Sequence, residues 1–362
     1  MNRPRIVLIA AALLAGASIG GPALAAAPIH GTAEAIEGRA VWIFDLAGSA
    51  GGSAGAIAAQ ARTAGVRSVF VKAADGASLL RQYSAAVVSD LRADGLNVCA
   101  WQFVYGRHPA AEAAAAVAAV RAGAQCLIVD AEASYEGRYW AARRYMRDLR
   151  AGVGRAFPVG LASFPFVTLH PWFPYSQFLG PGGAQFDMPQ MYWQAIGASI
   201  DGVFARTFVD NRLYGRPIVP VGQAFGRPAP AAIARFRALT VAYGAPGISW
   251  WDWAWASQSA LWGSLSALLR RPTHFRGPDE SWPVLSAGSR GDPVIWLQEH
   301  LAREDPAQRV TGLFAGQTRA DLAAFQARRR LPVTGRTNPA TWRALLELDP
   351  VSVIWPAPGA HA

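Results

Sequence analysis

The stretch Cys126-Leu127-Ile128-Val129-Asp130-Ala131-Glu132 decides how the chain is read. An apolar run of strand type ends in two acids one residue apart. Side chains alternate across a strand, so Asp130 and Glu132 share a face. Regular strand geometry sets their Cβ atoms about 6–7 Å apart. Acids at the end of a buried strand are costly unless they are paired or used. A single acid there reads as a helix N-cap. Two acids, flanked by aromatic residues, read as a candidate active site.

Outward from that stretch the chain alternates strand and helix. Strands are predicted at 40–44, 68–72, 97–103, 126–130, 159–163, 186–192, 218–222 and 247–253. A helical stretch follows nearly every strand, the last over 258–269. The strand runs are short and continuously apolar, as parallel strands buried on both faces should be. Eight such units across 38–270 predict an α/β chain with a (β/α)8 TIM barrel. An open doubly wound sheet would call for a phosphate-binding glycine pattern after the first strand, and the sequence has none there. Phe164 to Gly183 is rich in Pro, Gly and aromatics and reads as a long, functional loop.

Barrel chemistry sits at the carboxyl ends of the strands. Those ends collect Asp45, Lys72, Trp101, Asp130 with Glu132, Gln190 with Tyr192 and Trp193, and Trp250 with Asp252. Glu132 lies farther toward the mouth and is the expected general acid, with Asp130 as partner. Asp45 is a third catalytic candidate or a loop cap. Lys72 is the sole lysine in the chain and is expected to pair with Asp130 or Asp75. Gln190 and Tyr192 share a strand face and are expected to bind substrate, as are Trp101 and Trp193. In Trp250-Trp251-Asp252-Trp253, parity sets Trp250 and Asp252 on one face. Those two are assigned to the substrate side. Paired carboxyls serve glycoside hydrolysis, at about 5–5.5 Å for retention and about 6.5–9.5 Å for inversion. The acid pair falls near that border, and a substrate-assisted route stays open too.

Composition sets the address. Arg3 and Arg5, the apolar run Ile6 to Leu14 and Ala23-Leu24-Ala25 read as a signal peptide over 1–25. The apolar run is too short for a membrane span. A secreted or periplasmic, wall-associated monomer is expected. The net charge of +10 falls to +8 without Arg3 and Arg5. It favours an anionic wall. Scattered arginines and export argue against nucleic acid. Cys99 and Cys126 fall on consecutive strands, as one disulfide or as two buried thiols. Six histidines show no ligand spacing, so no metal and no cofactor are expected.

Residues 271–284 read as a linker, 285–348 as a small all-α domain and 349–362 as a tail. The domain carries a weak internal repeat. Leu297-Gln298 leads to Val310-Thr311-Gly312 and Thr318; Phe325-Gln326 leads to Val333-Thr334-Gly335 and Thr341. Each threonine is placed to cap the next helix.

Two resemblances follow from these residues. The eight-unit pattern, with Val129-Asp130-Ala131-Glu132 on strand four and Asp45 on strand one, resembles glycoside-hydrolase-like barrels of the family 25 lysozyme type. It looks closest to an uncharacterised bacterial branch. That likeness implies Glu132 as the acid. The lysozymes place a further acid near strand six, where this chain has Met191-Tyr192-Trp193. Leu285, Gly288, Gly291, Val294, Leu297-Gln298, Leu301, Gly312, Phe314, Thr318, Phe325-Gln326, Leu331, Gly335, Thr341-Trp342 and Leu345 resemble the peptidoglycan-binding domain of the three-helix type. It implies peptidoglycan as the partner. A hydrolase of the glycan strand, of muramidase or glucosaminidase type, is the expected activity. A non-catalytic wall-binding protein with a degenerate barrel is the alternative.

Overall fold

The computed structural model describes residues 29, 31–268 and 272–357. The expected signal peptide lies outside the described residues. Nine strands form one sheet: β1 (Gly38–Ile43), β2 (Ser68–Asp75), β3 (Ser78–Leu79), β4 (Asn97–Val104), β5 (Cys126–Ala131), β6 (Val159–Ser163), β7 (Phe186–Met191), β8 (Val221–Gln223) and β9 (Gly247–Trp251). Eight of them are parallel neighbours, and β1 pairs with both β2 and β9, so the barrel closes. β3 is a short antiparallel hairpin partner of β2, between the second and third barrel strands.

Helices α1 (Ala54–Thr63), α2 (Ala85–Ala93), α3 (Pro109–Arg121) and α4 (Tyr139–Val153) follow the first four barrel strands. After β6 the loop expected over 164–183 holds a 3-10 turn (Val167–Leu169) and a short α5 (Tyr175–Leu179). Then come α6 (Trp193–Ile196), α7 (Ile200–Asn211), α8 (Pro230–Ala242), α9 (Trp253–Gln258) and α10 (Trp262–Ser266). One helix was expected over 258–269. Instead α9 ends at Gln258, and Ala260 just beyond it has a left-handed φ of 50°. That conformation does not propagate a right-handed helix.

Two cores divide by strand parity. The interior holds Trp42, Phe70, Cys99, Trp101, Cys126, Ile128, Phe186 and Met188. The opposite faces pack under the helices. Cys99 and Cys126 are register partners on β4 and β5, with Cα atoms 4.6 Å apart, and form a disulfide inside the barrel. Of the two states left open for these cysteines, the structure holds the bonded one.

The carboxyl-terminal region has three helices: α11 (Asp292–Glu304), α12 (Gly316–Arg328) and α13 (Pro339–Leu346). The internal repeat is a repeated hydrogen-bond device. The Gln298 carbonyl accepts from Thr311 and Gly312 N–H at 2.8 and 2.9 Å, and its amide donates to Thr318 Oγ1 at 2.9 Å. Gln326 does the same with Thr334, Gly335 and Thr341, at 2.9, 3.0 and 3.1 Å. Thr318 and Thr341 are therefore acceptors inside the first turn, not the expected caps. Asn338 caps α13 through Thr341 N–H, and Ala315 precedes α12 without a side-chain cap.

This module is seated on the barrel. Helix α11 is buried almost all round, from Asp292 to Ala302. It lies against α5, where the barrel's own helix is short. Gly291 approaches so closely that a Cβ there would fall 2.1 Å from the Pro171 carbonyl oxygen. Asp292 is fully buried and accepts from Ser176 N–H at 3.0 Å, Ser176 Oγ at 2.8 Å and Tyr214 OH at 2.7 Å. Trp296 Nε1 donates to the Leu213 carbonyl at 2.6 Å. The connecting segment is strapped down by Arg212, which donates to the carbonyls of Asp279 and Ser281, each at 2.8 Å.

Replacing Asp292 by Ala strands three barrel donors in a dry seam. The expected loss is about 2–4 kcal/mol, read by urea unfolding. The segment 272–284 should become a preferred cleavage site in limited proteolysis. An unchanged urea midpoint would show that the seam does not depend on this carboxylate.

Candidate active site

The site forms where inward-facing positions reach the carboxyl ends of the strands. On β5, Cys126, Ile128 and Asp130 point inward by alternation. Glu132 continues that face just past the strand. On β7, Phe186, Met188 and Gln190 do the same. Gln190 Nε2 donates to Asp130 Oδ1 and to Glu132 Oε1, each at 3.0 Å. One amide thus holds both acids. The two bonded oxygens lie within about 6 Å of one another. Asp130 is buried and Glu132 half-buried.

Burial pushes the Asp130 carboxyl well above the usual carboxylate range, and the Glu132 charge adds to this. Lys72 and the Gln190 amide oppose them. The deeper member is driven toward its neutral form, so the pair stores a proton near the mouth.

Lys72 pairs with Asp75, at 2.7 Å. Residues three apart on a regular strand face opposite ways. A register shift between Lys72 and Ala74 removes that conflict. The extra residue turns both Lys72 and Asp75 inward. Tyr105 OH also donates to Asp75, at 2.8 Å. Burial raises Asp75, but Lys72 and Tyr105 outweigh it and leave the carboxyl below its ordinary value. Of the two expected partners for Lys72, the direct one is Asp75; the influence on Asp130 is through space.

The floor is aromatic. Trp42, Trp101 and Trp251 meet edge to face with centroids 5.4–5.5 Å apart. Lys72 Nζ lies 4.4 Å above Phe44 and 5.0 Å from Trp101. Trp101 is fully buried and donates its indole N–H to the Ile43 carbonyl, so it supports the floor from beneath. Phe44 is half-exposed at the rim.

Other expected site residues stand elsewhere. Trp250 points away from the interior and packs on Phe236 at 5.3 Å. Trp193 meets the same ring at 5.2 Å. Both belong to the layer under α8, which corrects their assignment to the substrate side. The reason is parity: Ser249, which accepts from the Trp42 indole at 3.0 Å, and Trp251 take the inward positions. Asp252 caps α9, accepting from Trp255 N–H at 3.1 Å. Burial raises its pKa. Asp45 is exposed and folded into its own turn, accepting from Ala47 and Gly48 N–H at 3.2 Å each. Tyr192 is half-buried beside Phe225. Burial, then Asp130, Glu132 and Asp252, push its phenol well up, so it remains a donor.

Sequence reading missed Trp251 and Phe44 as parts of this site, and expected Asp75 only as a partner for Lys72. Trp251 carried a signal, its parity partner Ser249, but no polarity distinguished it from Trp250.

Comparison with known proteins bears on the carboxyl-terminal region. Residues 290–345 match the family described as "Putative peptidoglycan binding domain". Among solved structures, the SleB N-terminal domain is similar at 32% identity, over 18% of this chain and 90% of that one, with a TM-score of 0.18. Two chitinases are similar over 64% of this chain. One, titled "putative Chitinase A", is from Streptomyces coelicolor, at 14% identity, 97% of its own chain and a TM-score of 0.47. The other, ICChI from Ipomoea carnea, is at 12% identity, 100% of its own chain and a TM-score of 0.45. No curated protein matches the chain.

Gln190 and Lys72 are the two groups that hold Asp130 down. Gln190→Leu and Lys72→Met should each raise the Asp130 titration midpoint above that of the wild type. Carbon-13 NMR of the carboxyl reads this directly. A midpoint that stays put in both variants would contradict the assignment of these contacts.

Proposed function

We propose that the protein is an exported cell-wall hydrolase that cuts the glycan strand of peptidoglycan. The cleavage is of the muramidase or glucosaminidase type. The observation that carries this reading is the Gln190 clamp, which gathers Asp130 and Glu132 at the carboxyl end of a barrel joined to a module matching a peptidoglycan-binding domain. Glu132, nearer the mouth, gives a proton to the leaving glycosidic oxygen. Asp130, kept toward its neutral form by burial, is the pair's proton reserve and orients Glu132 from below through Gln190. Retaining, inverting and substrate-assisted courses all use such a pair. Tyr192 and Asp75 supply polar contacts beside Trp251 and Phe44, on which sugar rings can stack. The buried disulfide supports folding in an oxidising compartment outside the cytoplasm.

One observation favours the second reading, a wall-binding protein with a silent barrel. The end of β7 offers Gln190 and Tyr192 where the lysozyme-like pattern has another acid.

Glu132→Gln keeps the shape and removes the proton. Release of reducing ends from purified wall should fall by about 100- to 10,000-fold, with sedimentation on the same wall unchanged. Equal release by both proteins would sink the role of Glu132. Wall binding by the wild type without any release would replace hydrolysis by the binding reading.

A further inference from the structure

A cavity of about 320 Å³ lies on the flank of the barrel, where α4, the segment after α5, α11 and residues 350–353 meet. It shares no residue with the acid pair or the aromatic floor. Four arginines line it, Arg143, Arg147, Arg150 and Arg155, against one carboxyl, Glu299. Among the described residues only Arg147 of these four has an acid partner, Asp148 at 2.8 Å. Arg150 is 8% exposed. Its guanidinium is oriented by neutral acceptors, the carbonyls of Phe157 and Gly183 and the side chain of Gln185, at 2.6–2.7 Å. Its Nε has no partner. Burial, and then Arg216 and Arg155, bring its pKa down to about 10. Burial and Asp292 push Glu299 up, opposed by Gln177 and Arg143, so one partly compensated carboxyl faces the four arginines.

Buried positive charge without a counter-charge is costly. An anion in the cavity would relieve that cost. Guanidinium forks match carboxylate and phosphate oxygens two at a time. Met146, Pro181 and Val351 add apolar wall suited to small aliphatic side chains.

We infer that this cavity binds an oxyanion, and that its occupant is the free carboxylate end of a wall stem peptide. The oxyanion site stands on the arginines alone; the choice of occupant rests on the wall-binding reading above, since Glu299 belongs to the matched module. Binding here would hold the wall on the seam between module and barrel, away from the mouth.

The full chain is titrated calorimetrically with diacetyl-Lys-D-Ala-D-Ala, with its carboxyl-terminal amide and with inorganic phosphate. The same probes are run on the double variant Arg143→Gln/Arg155→Gln. Arg155 is exposed and Arg143, half-exposed, also donates to the Val353 carbonyl, so the thermal midpoint of each protein is measured alongside and Arg155→Gln alone is titrated too. The acid peptide should bind the wild type at least 10-fold more tightly than the amide does. The double variant should lose at least 10-fold. Phosphate binding without peptide binding overturns the stem-peptide occupant in favour of a phosphate polymer. Binding by neither, or equal binding by the double variant, overturns the site. Sedimentation on purified wall separates the two readings: a wild type that binds wall but no soluble probe keeps its wall-binding module and loses this cavity.

Discussion

The mouth of the barrel depends on one amide. Gln190 sits on β7 and its two acids come from β5, so it must reach past β6. The inward residues of β6 are Gly160 and Ala162, the smallest available. Ala162 is the register partner of Asp130 on one side and of Met188 on the other. A Cβ on Gly160 would fall 2.4 Å from Met188 Sδ. A larger side chain on β6 would therefore separate the acids from their donor. The clamp exists because the strand between is nearly bare.

The same amide sets the electrostatics. Burial disfavours charge on Asp130, and a second acid close by disfavours it further. A donor and one lysine oppose these effects without cancelling them. The lysine reaches its place only through the irregularity in β2, which turns Lys72 and Asp75 to one side. Lys72 then serves two acids, one by contact and one through space. Its ammonium lies over Phe44 and Trp101, so the aromatic floor and the charge network share a residue.

Much of this was legible in the sequence, and the limit is physical. Period-two alternation is local, so eight strands, the inward pair Asp130 and Glu132, and Gln190 on the matching face could be read residue by residue. The Gln-Thr-Gly repeat was legible because each copy closes over 8 to 20 residues. Parity alone could not choose between Trp250 and Trp251, because both are apolar and both pack. Asp45 had two roles open, and the local turn took its carboxylate. The bulge in β2 has no sequence mark beyond two alanines. Nothing local shows that Asp292, apparently the first residue of a surface helix, has partners 78 and 116 residues away.

That last contact changes what the module does mechanically. A module on a free linker raises local substrate concentration and nothing more. Here the linker is strapped to Arg212 and α11 fills the gap beside α5. The module also bears on the loop that follows the acids. Glu136 pairs with His170 at 2.9 Å, Gly137 N–H donates to the Trp172 carbonyl at 2.8 Å, and the Pro171 carbonyl accepts from Asp292 N–H. Trp172 in turn lies against Gly312 of the module. The chain from Glu132 to the module is thus continuous packed matter, four residues of loop and one tripeptide. The docked module and the loop carrying Glu132 therefore share direct contacts through residues 170–172.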